Sequence, residues 1–102
     1  MLDIKYNDTY MLNIYKELGY NEDEYPFTPL GLIMFLANNG IDVYVWKPRY
    51  SKDYIWCGVE KGFDGTRDIF SQDLTEYKTF DDAVNAAIVE SACYASLSLK
   101  KQ

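Results

Sequence analysis

The stretch Ile41-Asp42-Val43-Tyr44-Val45-Trp46, followed after a polar loop by Tyr54-Ile55-Trp56-Cys57-Gly58-Val59, decides the fold. Both segments alternate in character with a period of two and are rich in β-branched and aromatic residues. Each therefore reads as a strand with two unlike faces. The first sets Ile41, Val43 and Val45 against Asp42, Tyr44 and Trp46; the second sets Ile55, Cys57 and Val59 against Tyr54, Trp56 and Gly58. Between them Lys47 to Asp53 holds a proline and three cations, which makes it a hairpin loop. A simple closure of that loop places Trp46 opposite Tyr54 and Tyr44 opposite Trp56. The aliphatic set then faces the helices, and Tyr44, Trp46, Tyr54 and Trp56 make an aromatic face on the other side.

Outward from this hairpin, Lys61-Gly62-Phe63-Asp64-Gly65-Thr66 is rich in turn formers, and Arg67 to Ser71 reads as a third, shorter strand. Upstream, Asn7, Asp8 and Thr9 are helix-capping types, and Met11, Ile14, Tyr15 and Leu18 recur at helical spacing, predicting a helix over about 8–18. Asn21-Glu22-Asp23-Glu24 is a polar, acidic loop. Thr28-Pro29 opens a second helix, with threonine as cap and proline at the first helical position, where its missing N–H costs nothing. Its body, Leu30 to Asn38, is apolar nearly all round. Gly31 within it costs up to about 1 kcal/mol against alanine, which marks a close approach of a neighbouring backbone.

Downstream, Thr79 caps a long helix from about Phe80 to Leu97, with Asp81 and Asp82 at the positive end of its dipole. Val84, Ala87, Ile88, Ser91 and Ala95 form one stripe, and Ala86, Val89, Cys93 and Leu97 another on nearly the opposite side. Such a helix is either central to the fold or part of a homodimer seam. The order α-α-β-β-β-α, with runs of like elements, predicts a single α+β domain over 1–102. Its architecture is a two-layer sandwich: a three-stranded antiparallel sheet with helices mainly on one face.

Composition bounds the chemistry. The 102 residues hold 10 basic and 16 acidic side chains, for a net charge of −6, two cysteines and no histidine. Without histidine there is no Ser-His or Cys-His nucleophile and no imidazole metal ligand. Two lone cysteines, Cys57 and Cys93, neither build a disulfide scaffold nor complete a tetrahedral metal set, although a bridge between them is open on spacing alone. No cofactor is expected. Asp64-Gly65 with Asp68 falls short of a calcium loop, and Gly62 and Gly65 are not followed by the Gly-Lys-Ser/Thr of a phosphate loop. The longest apolar stretch, Leu30 to Ala37, is far below the roughly 20 residues of a membrane span. Met1-Leu2-Asp3-Ile4-Lys5 has no basic start followed by an apolar run. A cytoplasmic protein with no membrane partner is expected.

The aromatic set Tyr44, Trp46, Tyr54 and Trp56 is the most informative feature for function. Either it is a contact surface for a protein partner or a second copy, or its rings only pair across the hairpin beneath the N-terminal segment. The acidic groups Glu22-Asp23-Glu24 and Asp81-Asp82 read as solvated charge. Nucleic acid is disfavoured by the net charge; the exception is the hairpin loop, where Lys47, Arg49 and Lys52 flank Tyr50 in a pattern suited to stacking on single strands.

The closing segment Tyr77-Lys78-Thr79-Phe80-Asp81-Asp82-Ala83-Val84-Asn85-Ala86-Ala87-Ile88 resembles the tail of small uncharacterised proteins of bacteriophages, prophages and gut-bacterial mobile elements. In those, strands bearing tryptophan precede a final helix with this opening. The resemblance implies no reaction, cofactor or catalytic residue. The expectation is a small non-catalytic domain acting through protein contacts, with an acidic phage-type inhibitor of a host defence protein as first alternative and a small-ligand-binding or weakly catalytic domain as second. One consequence is local: Thr79→Ala should cost about 0.5–2 kcal/mol in urea unfolding, through loss of the cap on the last helix.

Overall fold

A computed structural model describes residues 4–62, 64–71 and 76–99. In these, the elements are α1 (Thr9–Glu17), α2 (Pro29–Asn38), β1 (Ile41–Trp46), β2 (Ile55–Lys61), β3 (Arg67–Ser71) and α3 (Phe80–Leu99). The strands form one antiparallel sheet in the order β1-β2-β3; α2 and α3 pack against one side of it, and α1 packs on α3. The α+β two-layer expectation holds.

The caps form as their residue types require. Thr28 Oγ1 accepts from Gly31 N at 3.0 Å, and Thr79 Oγ1 accepts from Asp82 N at 3.0 Å. Gly31 is a close approach: a Cβ there would lie 2.0 Å from the carbonyl oxygen of Pro26. The chain before α2 can therefore fold back onto the helix only because position 31 has no side chain.

α3 is the central helix. It touches α1 and α2 on one side and β1 and β2 on the other, and Ala83, Ala87, Ile88, Ser91, Ala92 and Ala95 are all buried. Its small residues let its neighbours come close; the stripe of Val84, Ala87, Ile88, Ser91 and Ala95 is wholly buried, whereas on the other stripe Val89 is buried, Ala86 and Cys93 are half-buried and Leu97 is exposed. At one end Phe80 meets Tyr54 edge-on, with ring centroids 5.7 Å apart. At the other, Tyr94 stacks flat on Phe70 at 4.1 Å and donates its hydroxyl to the Glu60 carboxylate. Fourteen helical residues and six strand residues both span about 20 Å, so α3 runs along β2 for its length.

The loop before α2 is not merely acidic. Glu22, Asp23 and Glu24 are exposed, but Tyr20, Tyr25 and Phe27 turn inward and meet Tyr15 and Phe35 in a cluster of rings 5.4 to 6.3 Å apart. Tyr15 is fully buried and donates to Tyr6 O at 2.8 Å; burial holds its phenol proton well above the ordinary value. Residues 4–6 lie on this same helical side. The Asn85 side chain on α3 accepts from Tyr6 N at 2.7 Å and donates to Ile4 O at 3.0 Å. One amide thus satisfies a backbone donor and a backbone acceptor, as a neighbouring strand would.

The β2–β3 pairing slips between Gly58 and Val59, so that Gly58 faces Ser71 while Val59 faces Ile69. Phe70 is the extra residue of this bulge. Its ring occupies the space where a Cβ at position 58 would stand, 2.2 Å away, and carries the stack on Tyr94. Gly58→Ala should cost about 1–3 kcal/mol in urea melts by displacing that ring. In a double-mutant cycle with Phe70→Ala, most of the alanine penalty at 58 should vanish, because the clashing ring is gone.

Candidate functional site

The faces of the hairpin depend on its register. Observed pairs are Val43 with Gly58, Tyr44 with Cys57, Val45 with Trp56 and Trp46 with Ile55. The simple closure expected from the sequence is off by one residue: Trp46 stands opposite Ile55, not Tyr54, and Tyr44 opposite Cys57, not Trp56. A one-residue slip turns a whole strand over relative to its neighbour. Ile41, Val43 and Val45 do face the helices, as expected. Ile55, Cys57 and Val59 do not; they lie on the far side with Tyr44 and Trp46.

Two of the four residues assigned to an aromatic face are therefore corrected. Trp56 is completely buried on the helical side. Tyr54 is half-buried against Phe80 and exchanges two backbone hydrogen bonds with Tyr77, at 2.7 and 2.8 Å. The physical reason is size. Burying an indole ring stabilises by roughly 4–6 kcal/mol in transfer terms, well beyond what a thiol in its place contributes. The same register also puts Gly58 where Phe70 and Tyr94 need room. The cost is two orphaned groups: Trp56 Nε1 and Ser91 Oγ are buried with no hydrogen-bond partner.

Tyr44 and Trp46 are where the aromatic-face reading put them, at 44% and 41% exposure. They share that side with half-buried Ile55 and Cys57, with Val59, which is itself buried between its neighbours, and with Ile69, which is 59% exposed. Sequence reasoning missed Ile55, Cys57, Val59 and Ile69 on this side. The usable signal was Gly58, which has no reason to face solvent beside two rings but a clear one to face a crowded layer. The open side is bordered by an ion pair, Lys61 Nζ to Asp42 Oδ1 at 3.3 Å, and by Arg67 one register step further. Among the described residues no helix covers this face, and Asn85 holds residues 4–6 on the opposite layer, so these do not cover it either.

Other chemistry-bearing groups do not converge. Cys57 lies on the open side and Cys93 on α3; both are free thiols, and the sheet between them closes the option of a bridge. Burial pushes both thiols up, and Glu90 adds to the effect at Cys93. Hydrogen bonding to Glu60, followed by burial, raises the Tyr94 phenol. A cleft of about 510 Å³ opens between Lys5, Tyr6 and Asn7 and the start of α3; its carboxylates, Asp81 and Asp82, are exposed. Among the described residues no three Cys, Asp or Glu side chains come together to hold a metal, and no helix is long and apolar enough to cross a membrane. The chain matches no known protein family, no curated protein and no solved structure.

The two tryptophans report on the two sides of the sheet. Trp46→Phe should leave a blue-shifted emission from Trp56 that acrylamide barely quenches, whereas Trp56→Phe should leave the red-shifted, readily quenched emission of Trp46. The opposite pattern would restore the register expected from the sequence.

Proposed function

We propose that this chain is a non-catalytic protein-contact domain, and that its contact face is the uncovered side of the sheet. The observation that carries this reading is the apolar surface of Tyr44, Trp46 and Ile69, with half-buried Ile55 and Cys57 and buried Val59 between them, while α2 and α3 pack on the other side of the sheet. From the fractional exposures, the apolar patch amounts to roughly 400 Å², in the range where patches on monomers are commonly functional. Tryptophan and tyrosine at its edge are the residue types that dominate binding energy in protein interfaces.

The occupant is an apolar element of another protein rather than a second copy. A stable face-to-face dimer needs about 800 Å² per partner, about twice what this patch supplies. Two copies would also each bring a net charge of −6. A single amphipathic helix, about 10–12 Å across, matches the width of a three-stranded sheet, about 10 Å between its outer strands. Such a helix would complete a three-layer sandwich.

A second reading is favoured by one observation. Residues 41–71 carry five basic and five acidic side chains, whereas residues 1–40 carry two and six. The acidic excess thus belongs to the helical segments, which suits an acidic inhibitor, of the phage type that the closing segment resembles, turned toward a basic host protein.

The test is a partner captured on wild-type protein and then challenged with two variants. Tyr44→Ser with Trp46→Ser should leave the urea midpoint within about 0.5 kcal/mol of wild type, as for exposed sites, and weaken binding by at least tenfold. Glu22→Gln, Asp23→Gln and Glu24→Gln together should leave binding intact. Loss with the acidic-loop variant alone would favour the inhibitor reading. A wild-type dimer in sedimentation velocity that the double serine variant dissolves would assign the face to a second copy.

A further inference from the structure

The β1–β2 loop, residues 47–54, carries a feature that the open face does not explain. Tyr50 at its tip is 92% exposed, the most exposed large apolar side chain among the described residues. Its backbone stands at φ 71°, and it is the one described non-glycine residue in the left-handed region. A bulky residue there is strained, and glycine would relieve the strain. The conformation is held from both sides: Ser51 N donates to Pro48 O at 3.0 Å, and Ser51 Oγ accepts from Asp53 N at 3.1 Å. The ring is also placed. The Arg49 guanidinium lies 5.1 Å from its centroid, within cation–π range. Nothing in the fold requires a ring at this point, since it packs on no core element.

The charge of the loop sets it apart. Lys47, Arg49 and Lys52 are all exposed, against the single carboxylate Asp53, in a chain whose net charge is −6. The loop continues directly from Trp46, at the edge of the open face.

We infer that Tyr50 is the anchor of a protein contact, inserted into an apolar cleft whose rim is acidic. The inference deepens the contact-face reading and rests on it in taking the partner to be a protein. A preset, strained backbone lowers the entropy lost when the ring is bound, which is the use to which such strain is put at binding loops. Tyrosine supplies a large contact area at the cost of two side-chain torsions. Lys47, Arg49 and Lys52 around it select carboxylates at the cleft's rim and steer encounter with a negative surface. Single-stranded nucleic acid would also meet a ring and cations, but it needs a continuous basic track, and beyond this loop the track gives way to the apolar open face.

The test selects peptides from a random displayed library on wild-type protein. The selected set should be enriched in Asp and Glu around apolar residues. Those peptides should bind Tyr50→Ala and Arg49→Glu at least tenfold more weakly, with an affinity that falls as salt rises. Tyr50→Gly should fold, melt no lower than wild type and lose the same peptides. Peptides without acidic bias, or peptides that bind Tyr50→Ala as well as wild type, would overturn the inference. So would a Tyr50→Gly variant that melts well below wild type, since the ring would then be serving the fold. Oligothymidylate bound in a Tyr50-dependent way, with no such peptides selected, would assign the loop to nucleic acid instead. The two readings fail separately. Peptides lost only with Tyr44→Ser and Trp46→Ser support the open face and sink the anchor; peptides lost only with Tyr50→Ala do the reverse.

Discussion

Val45 and Trp56 stand opposite each other beneath α3, and much of the molecule follows from that one pairing. With Trp56 inside, its neighbour by two, Gly58, also faces the helical layer, and the missing side chain is the gap into which Phe70 fits. Phe70 then carries Tyr94, and Tyr94 reaches Glu60. The bulge in β3, the flat stacking of Phe70 on Tyr94 and the position of the last two turns of α3 are linked through a single register. A core behaves this way because it is close-packed: moving one large ring obliges its neighbours to move as well.

The same pairing defines the outer surface. Once Trp56 has turned inward, Ile55, Cys57 and Val59 must turn outward, since adjacent side chains on a strand point to opposite faces. They join Tyr44, Trp46 and Ile69 in a face that is less aromatic and more aliphatic than a hairpin of four rings. A surface of that kind is costly to leave in water and simple to bury, which is why a contact role fits this fold better than chemistry does. The titratable groups that burial perturbs, Tyr15, Tyr20, Cys57 and Cys93, are phenols and thiols held in their neutral forms, and Tyr94 is engaged in holding the sheet to its helix.

The two layers differ in composition. The helical layer uses aromatic rings from α1, α2 and the loop between them, sealed at the N-terminal end by the amide of Asn85. It carries the acidic excess on its outside. The sheet layer is balanced in charge, apolar across its centre, and ends in a basic loop whose tip is held in a strained conformation.

Much of this was legible in the sequence, because it rests on short-range constraints. Period-two alternation marked the strands, threonine at 28 and 79 marked the helix starts, and Gly31 marked a close approach that the carbonyl of Pro26 makes. Of the proposed contact face, Tyr44 and Trp46 were legible as well. Trp56 and Tyr54 were not, because strand alternation states only that neighbours point apart; which half of β2 points inward depends on register across an eight-residue loop, and one residue more or less reverses it. Tyr20, Tyr25 and Phe27 were hidden for a similar reason, since their inward turn answers to Tyr15 and Phe35 on the two flanking helices while the local signal is three exposed acids. The placement of residues 4–6 came from Asn85, some eighty residues distant, through two backbone hydrogen bonds that no local pattern announces. Sequence by itself determined which segments are helix and strand and that they make an α+β sandwich. Tertiary structure decided which side of the sheet is left bare, because that choice is made by the volume of Trp56 and Phe70 beneath α3, not by the periodicity of the strand that carries them.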